Sequence, residues 1–213
     1  MQLSVLAVLS PARRRRRTTV AARGCTVPVA TARPHPTSRD ATAGTIRLRC
    51  LTPADGHHLS DLHARLSPDS RYQRYFRLVR SLAPADIARF VTQSPDHLAV
   101  GAFDGDVLVG VAQYFRSAQR PDHAEVAVEV ADSHHRRGVG GSLVRELSRH
   151  AADGGITHFT ASILADNTPV LGLIGQSGGD VATTPDGPYA DVVVALPTPR
   201  RRPDSRSAAK GTA

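Results

Sequence analysis

Large aromatic side chains are nearly missing from this chain: among 213 residues there is no tryptophan, and there are five phenylalanines and four tyrosines. Any core must therefore be filled mostly by Leu, Val, Ile and Ala. Cysteine is as scarce, since Cys25 and Cys50 alone make neither a Cys-rich zinc cluster nor a disulfide framework. Two thiols fit a reducing cytoplasm, which is the expected location. No stretch of 18 or more apolar residues occurs, so no membrane-spanning helix and no membrane partner are expected.

Acidic residues are scarce at both ends. Residues 1–43 hold eight arginines against Asp40, and residues 197–213 hold four arginines and Lys210 against Asp204. Residues 44–196 keep 14 basic and 17 acidic residues, a net charge of −3 within a chain whose total is +8. The basicity belongs to the ends, so nucleic acid is not expected as a partner of the middle. Three segments follow: a basic low-complexity tail over 1–43, expected to be disordered; one folded domain over 44–196; and a second basic disordered tail over 197–213. In the first tail the apolar start Met1–Leu9 precedes Arg13–Arg17, the reverse of a secretory signal. Three readings of that tail stay open: a disordered extension, residues contributed by an unused upstream start codon, or a segment that binds nucleic acid or an anionic surface.

Between the tails the hydrophobic period predicts α and β segments in mixed order. Thr45–Leu51 reads as a strand, and Leu59, Leu62 and Leu66 form a helical stripe ended by Ser67-Pro68. Pro84 opens another helix with Ile87, Phe90 and Val91 on its buried face. His97–Ala102 and Val107–Phe115 flank Asp104-Gly105, a strong hairpin turn. Ala124–Val130 places Ala124, Val126, Val128 and Val130 on one face, with Glu125, Ala127 and Glu129 on the other. A helix over 142–152, a strand over 156–163, a weak helix over 167–175 and a hairpin turning at Pro185–Pro188 complete the series. Strands of this kind followed by a Gly-rich turn predict a mixed α/β (α+β) fold rather than a nucleotide-binding βαβ array.

The sharpest local signal is His134-His135-Arg136-Arg137-Gly138-Val139-Gly140-Gly141, between an apolar strand and an amphipathic helix. Its glycines let backbone approach a ligand, and the helix start leaves amides unpaired beside two guanidiniums. Those features together describe a phosphate or pyrophosphate seat. It is neither a Walker A loop, lacking Gly-Lys-Ser/Thr, nor the dinucleotide fingerprint.

This loop resembles that of the GCN5-related N-acetyltransferases (GNAT), where Gln/Arg-x-x-Gly-x-Gly/Ala cradles the pyrophosphate of acetyl-CoA; His135 stands where Gln or Arg is usual. The resemblance implies a central mixed, mostly antiparallel sheet flanked by helices. It also implies acetyl-CoA as acyl donor without a metal. The cofactor would lie along Val128 and Val130, against His135, Arg136, Arg137, Gly138, Val139, Gly140 and Gly141, with Asn167 of Ala165–Val170 meeting it from the following helix. Leu66–Phe76 and Leu82–Phe90 resemble acetyltransferase domains that in some bacteria are fused to an acyl-CoA-synthetase-like half and modify protein lysines. That likeness moves Tyr72, Tyr75, Phe76 and their interleaved arginines from a nucleic-acid face to helices around the cofactor and acceptor.

Direct transfer requires a neutral amine, whereas a lysine amine of pKa near 10.4 is almost fully protonated at pH 7. A base is needed at the acceptor. Glu125 is the candidate, because the related lysine-modifying domains carry their catalytic Glu in a similar Ala-Glu-x-Ala-Val strand. Glu129 shares its face but stands about 13 Å further along. Where many relatives place a proton-donating Tyr, this chain has Ile174, and Gly178-Gly179 replaces a usual Gly-Phe. The adjacent pairs His57-His58 and His134-His135 do not suggest a metal site. The acceptor is expected to be a primary amine, on a protein lysine or a small molecule. A non-catalytic acyl-CoA-binding module is the alternative of a different kind, and the protein is expected as monomer or homodimer.

Overall fold

The computed structural model describes residues 46–197, apart from 166, 168, 169, 171, 172 and 174–178. Its elements run β1 (Arg47–Cys50), α1 (Gly56–Arg65), α2 (Pro68–Tyr75), α3 (Pro84–Val91), β2 (His97–Asp104), β3 (Val107–Arg116), β4 (His123–Val130), α4 (Val139–Asp153), β5 (His158–Leu164), β6 (Val181–Asp186) and β7 (Tyr189–Ala195). The seven strands lie in the order β1-β2-β3-β4-β5-β7-β6. Every neighbouring pair is antiparallel except β4 and β5, which run parallel. The expected mixed, mostly antiparallel sheet with flanking helices is what forms.

Strand alternation divides the core in two. Val126, Val128 and Val130 of β4 pack with Leu143, Val144 and Leu147 of α4 on one face. Leu59 and Leu62 of α1 and Phe90 and Val91 of α3 pack with Ala99, Phe103 and Val111 on the other. Burying this aliphatic surface on both faces supplies the stability that few aromatics can provide. At the start of α1, Arg49 donates to both oxygens of Asp55 at 2.8 and 2.6 Å, while the Thr52 amide and hydroxyl donate to Oδ2. This ties β1 to the first helix.

Several boundaries differ from expectation for local reasons. Ser67-Pro68 does more than end α1: the Ser67 hydroxyl accepts the Ser70 amide at 3.1 Å and Pro68 is the first residue of α2. Helix α4 begins at Val139 rather than 142, because Gly138 turns the chain at φ +77° and its carbonyl already accepts the Ser142 amide. In the last hairpin Pro185 and Asp186 pair with Ala190 and Tyr189, so the turn shrinks to Gly187-Pro188 with Gly187 at φ +58°. Proline is tolerated there because β6 is an edge strand. Of the helix expected over 167–175, only Asn167, Val170 and Leu173 are among the described residues, and Ile174 and Gly178 lie outside them.

Candidate active site

The parallel pair defines the site. Residue pairs His123↔His158, Ala124↔Phe159 and Glu125↔Thr160 join β4 to β5, and the register ends there although the strands continue to Val130 and Leu164. Beyond Glu125 the strands part, so the edge of β4 from Val126 to Val130 borders a cleft. The side chains of Val128 and Val130 are buried in the core, at 2% and 5% exposure. What they offer the cleft is backbone.

At the open end of β4 the chain enters a short 3-10 turn, Asp132–His134, and then the loop into α4. The Asp132 carboxylate accepts the Ser67 amide at 2.8 Å and the Ser70 hydroxyl at 2.6 Å, which fixes the loop to the first turn of α2. Burial works against its charge, but these donors outweigh burial and hold the carboxyl below its ordinary range. His135 turns inward and its Nε2–H donates to the Val130 carbonyl at 2.8 Å, so the ring braces the loop. Arg136 (φ +60°) and Gly138 are both left-handed, and Arg136, Arg137 and Gly138 are exposed.

Gly138 is the N-cap of α4 and supplies no capping side chain. The first amides of the helix, Val139, Gly140 and Gly141, have no intrahelical acceptor. Two exposed guanidiniums beside three free amides at the positive end of a 15-residue helix make a site for a phosphate-bearing ligand. A Cβ built on Gly138 would meet nothing within 4 Å, so open space lies above the loop. Val139 itself is 3% exposed and belongs to the core, leaving its amide as the group that could touch a ligand. Asn167, 6% exposed, stands just past β5, with its amide on the Leu164 carbonyl at 2.9 Å.

Glu125 occupies the last paired position before the strands part. It is half-buried on the face opposite α4, in register with Phe115 of β3 and Thr160 of β5. Burial raises its carboxyl above the usual range, against opposing effects of Arg74 and Arg89. Four residues further along β4, on the same face, lies a carboxylate to which the sequence assigned no role. Glu129 forms a buried ion pair with Arg74, Nε to Oε2 3.7 Å, with side chains 3% and 6% exposed. Tyr75 hydrogen-bonds the same carboxylate. The alternation of Glu125, Ala127 and Glu129 was its only sequence signal.

The aromatic and basic segment from Ser70 to Ser81 is folded inward only in part: Ser70 and Arg74 are buried, whereas Tyr72 and Leu78 are exposed. Arg71 donates to the Leu66 and Arg80 carbonyls, the Arg74 guanidinium lies 4.8 Å from the Tyr75 ring centre, and Phe76 packs on Tyr189 at 4.6 Å. The adjacent pairs His57-His58 and His134-His135 were expected to form no metal site; the histidines that do come together are others. His123 and His158 stack at 4.5 Å across the parallel strands, and with Asp122 bring one ligand atom each within 4.8 Å of the others. They lie 35 positions apart in the chain, beyond the reach of a spacing rule. Three of the four ring nitrogens already face protein groups: Asp122 and Arg120 at 3.1 Å, and Thr157 at 2.8 Å.

Comparison with known proteins decides the class. The acetyltransferase (GNAT) family matches residues 59–178, more than half of the chain. The chain belongs to the GNAT acetyltransferase family. Membership makes it an acyl-CoA-dependent N-acetyltransferase. Among solved structures it resembles the GNAT domain of S. lividans PAT, at 26% identity and TM-score 0.66 over 71% of this chain and 90% of that one. It shares the fold of yncA from Salmonella typhimurium, a structure with its cofactor acetyl-CoA (19% identity, TM-score 0.59, 75% and 98% covered). It also shares that of the diaminobutyrate acetyltransferase EctA from Paenibacillus lautus, solved with L-2,4-diaminobutyric acid and coenzyme A (18%, 0.56, 72% and 96%). In this GNAT chain the cleft between β4 and β5 and the amide-rich start of α4 are adjacent, as one extended thioester ligand requires.

Proposed function

We propose that the protein transfers the acetyl group of acetyl-CoA directly to the side-chain amine of a protein lysine, with Glu125 as general base. The observation that carries this reading is the half-buried Glu125 at the point where β4 and β5 separate. Acetyl-CoA supplies a thioester whose carbonyl carbon an amine nitrogen can attack. Arg136, Arg137 and the amides of Gly138, Val139, Gly140 and Gly141 hold the pyrophosphate. The β4 backbone at Val128 and Val130 lines the pantetheine path, with Asn167 across the cleft and His135 bracing the loop. Glu125 takes the proton from the acceptor, a backbone amide of β4 holds the oxyanion, and the thiol of pKa about 8.5 leaves as thiolate without needing an acid.

The lysine acceptor rests on the likeness of Leu66–Phe76 and Leu82–Phe90 to lysine-modifying domains. The test is incubation with acetyl-CoA and lysine peptides, with thiol release followed and the acetylated product identified by mass spectrometry. Acetylated peptide supports the reading. Acetylation of free amines alone would replace it with a small-molecule enzyme, and CoA binding without any product would replace it with a binding module.

The pyrophosphate seat has its own test. Arg137→Ala removes one charged hydrogen-bond donor, worth about 1.5–3 kcal/mol, and should weaken CoA binding roughly tenfold or more. Gly138→Val should weaken it further, since a β-branched residue at φ +77° would distort the turn that aims the amides. Calorimetric titration with CoA measures both, and unchanged affinity in the two variants would remove the seat from this loop.

A further inference from the structure

A cleft of about 560 Å³ opens between the C-terminal half of α3 and the strands β2 and β3, lined by Arg89, Asp96, His97, Phe115 and Arg116 among others. Its floor is Phe115, the cross-strand neighbour of Glu125, with His97 the next residue across on β2. Thus the row His97–Phe115–Glu125 shares one face of the sheet, at strand spacings of about 4.8 Å. The Phe115 ring is held by stacking on His97 at 4.2 Å and by the edge of Phe90 at 6.2 Å. Over it lies the guanidinium of Arg89, 4.4 Å from the ring centre.

The charges in this cleft are unequally committed. Arg116 donates to the carbonyls of Pro121 and Gly154 and pairs with Asp96 at 3.4 Å. Its charge and the carboxylate of Asp96, the one acid of the lining, are therefore spent on each other and on the backbone. Arg89 is exposed and makes no hydrogen bond or ion pair among the described residues, its contact being the Phe115 ring. His97 donates its Nδ1–H to the Thr92 carbonyl at 2.7 Å, and burial pushes the ring's pKa below the ordinary imidazole value. Just beyond the cleft, Arg120 donates to His123, which pairs with Asp122. A positive cleft stands out in a domain whose net charge is −3.

We propose that Arg89, seated on Phe115, is a specificity-determining residue that binds an anionic group, a carboxylate by preference, carried by the amine acceptor. A guanidinium oriented over an aromatic ring with its donors unspent is suited to a planar carboxylate. The subsite lies one to two strand spacings from Glu125, so the anion sits roughly 5–10 Å from the reacting nitrogen. Two sources present that chemistry: a free amino acid carrying a distal amine, and a peptide lysine with an acidic neighbour. This inference deepens the proposed function and rests on Glu125 marking the acceptor side.

The test is a set of matched acceptors under saturating acetyl-CoA: free lysine against cadaverine, and lysine peptides flanked by Glu against the same peptides flanked by Lys. Whichever source is native, its carboxylate-bearing member should be preferred in kcat/KM by roughly tenfold or more, mainly through KM. Arg89→Glu should invert the order and Arg89→Gln should abolish it. Arg47→Glu, a surface charge reversal at the far edge of the sheet, should leave the ratio unchanged. Equal use of both members of each pair, or a preference that survives Arg89→Glu, would overturn the proposal. Should no amine be acetylated, the proposed function fails separately, and the subsite is read by calorimetry with the two acetylated peptides on the CoA-bound protein. A preference for the Glu-flanked peptide that depends on Arg89 upholds it there, and equal binding overturns it.

Discussion

Glu125→Gln should lower acetyl transfer by roughly 10²- to 10⁴-fold while leaving fold and CoA affinity intact, the usual range for loss of a general base. The substitution keeps shape and removes only the ability to take a proton. In the parent, burial raises the Glu125 carboxyl and the facing Arg74 and Arg89 oppose the rise. Its acid limb should therefore lie above the ordinary carboxylate value of about 4.3, activity falling as Glu125 becomes protonated. The variant lacks that limb. At alkaline pH the acceptor amine is increasingly neutral in solution and needs less help, so the two rate curves should converge. Initial rates from pH 6.5 to 9.5, with acetyl-CoA saturating, measure the gap. A variant that matches the parent throughout would place the base elsewhere.

Arg74→Met should be the most damaging change to stability, at about 3–5 kcal/mol, because it strands Glu129 as an uncompensated buried charge. The effect should depend on pH in a definite direction. Burial already raises the Glu129 carboxyl in the folded state, with Arg74 and the Tyr75 hydroxyl pulling it down. Without Arg74 the folded value rises further above the unfolded one. The folded state then retains a proton that the unfolded state releases, so stability falls as pH rises from the unfolded value through the folded one. The deficit should accordingly be larger at pH 8 than at pH 5 in urea unfolding. Combining Arg74→Met with Glu129→Gln removes both charges and should recover much of the loss. A deficit independent of pH would mean that lost packing of the arginine stem, rather than the stranded carboxylate, dominates.

The division between Arg74 and Arg89 bears on both results. Arg74 is buried against Glu129 yet still acts on Glu125, and Arg89 acts on Glu125 from the exposed side. Glu125 thus feels one cation that is buried against Glu129 and one that is exposed to solvent. Charge at 89 should tune acceptor choice, whereas charge at 74 holds the sheet and α2 together.

Local pattern carried much of this protein. The period of two in 124–130 was enough to put Val126, Val128 and Val130 on the core face and Glu125 on the other, because side-chain direction in a strand depends on position alone. The loop 134–141 was legible for the same kind of reason: Gly138 is needed where φ is positive, and a helix start exposes its amides whatever surrounds it. Other features depended on residues far apart in the chain. The point at which β4 leaves β5, the stacking of His123 on His158, the burial of Glu129 against Arg74 and the seat of Arg89 on Phe115 each join separate elements. Sequence alone determined the mixed fold, the glycine-rich start of α4 and the face on which Glu125 stands. Only the tertiary structure decided which charges are neutralised and which remain available, because that depends on what the packing of α2 and α3 brings onto the sheet.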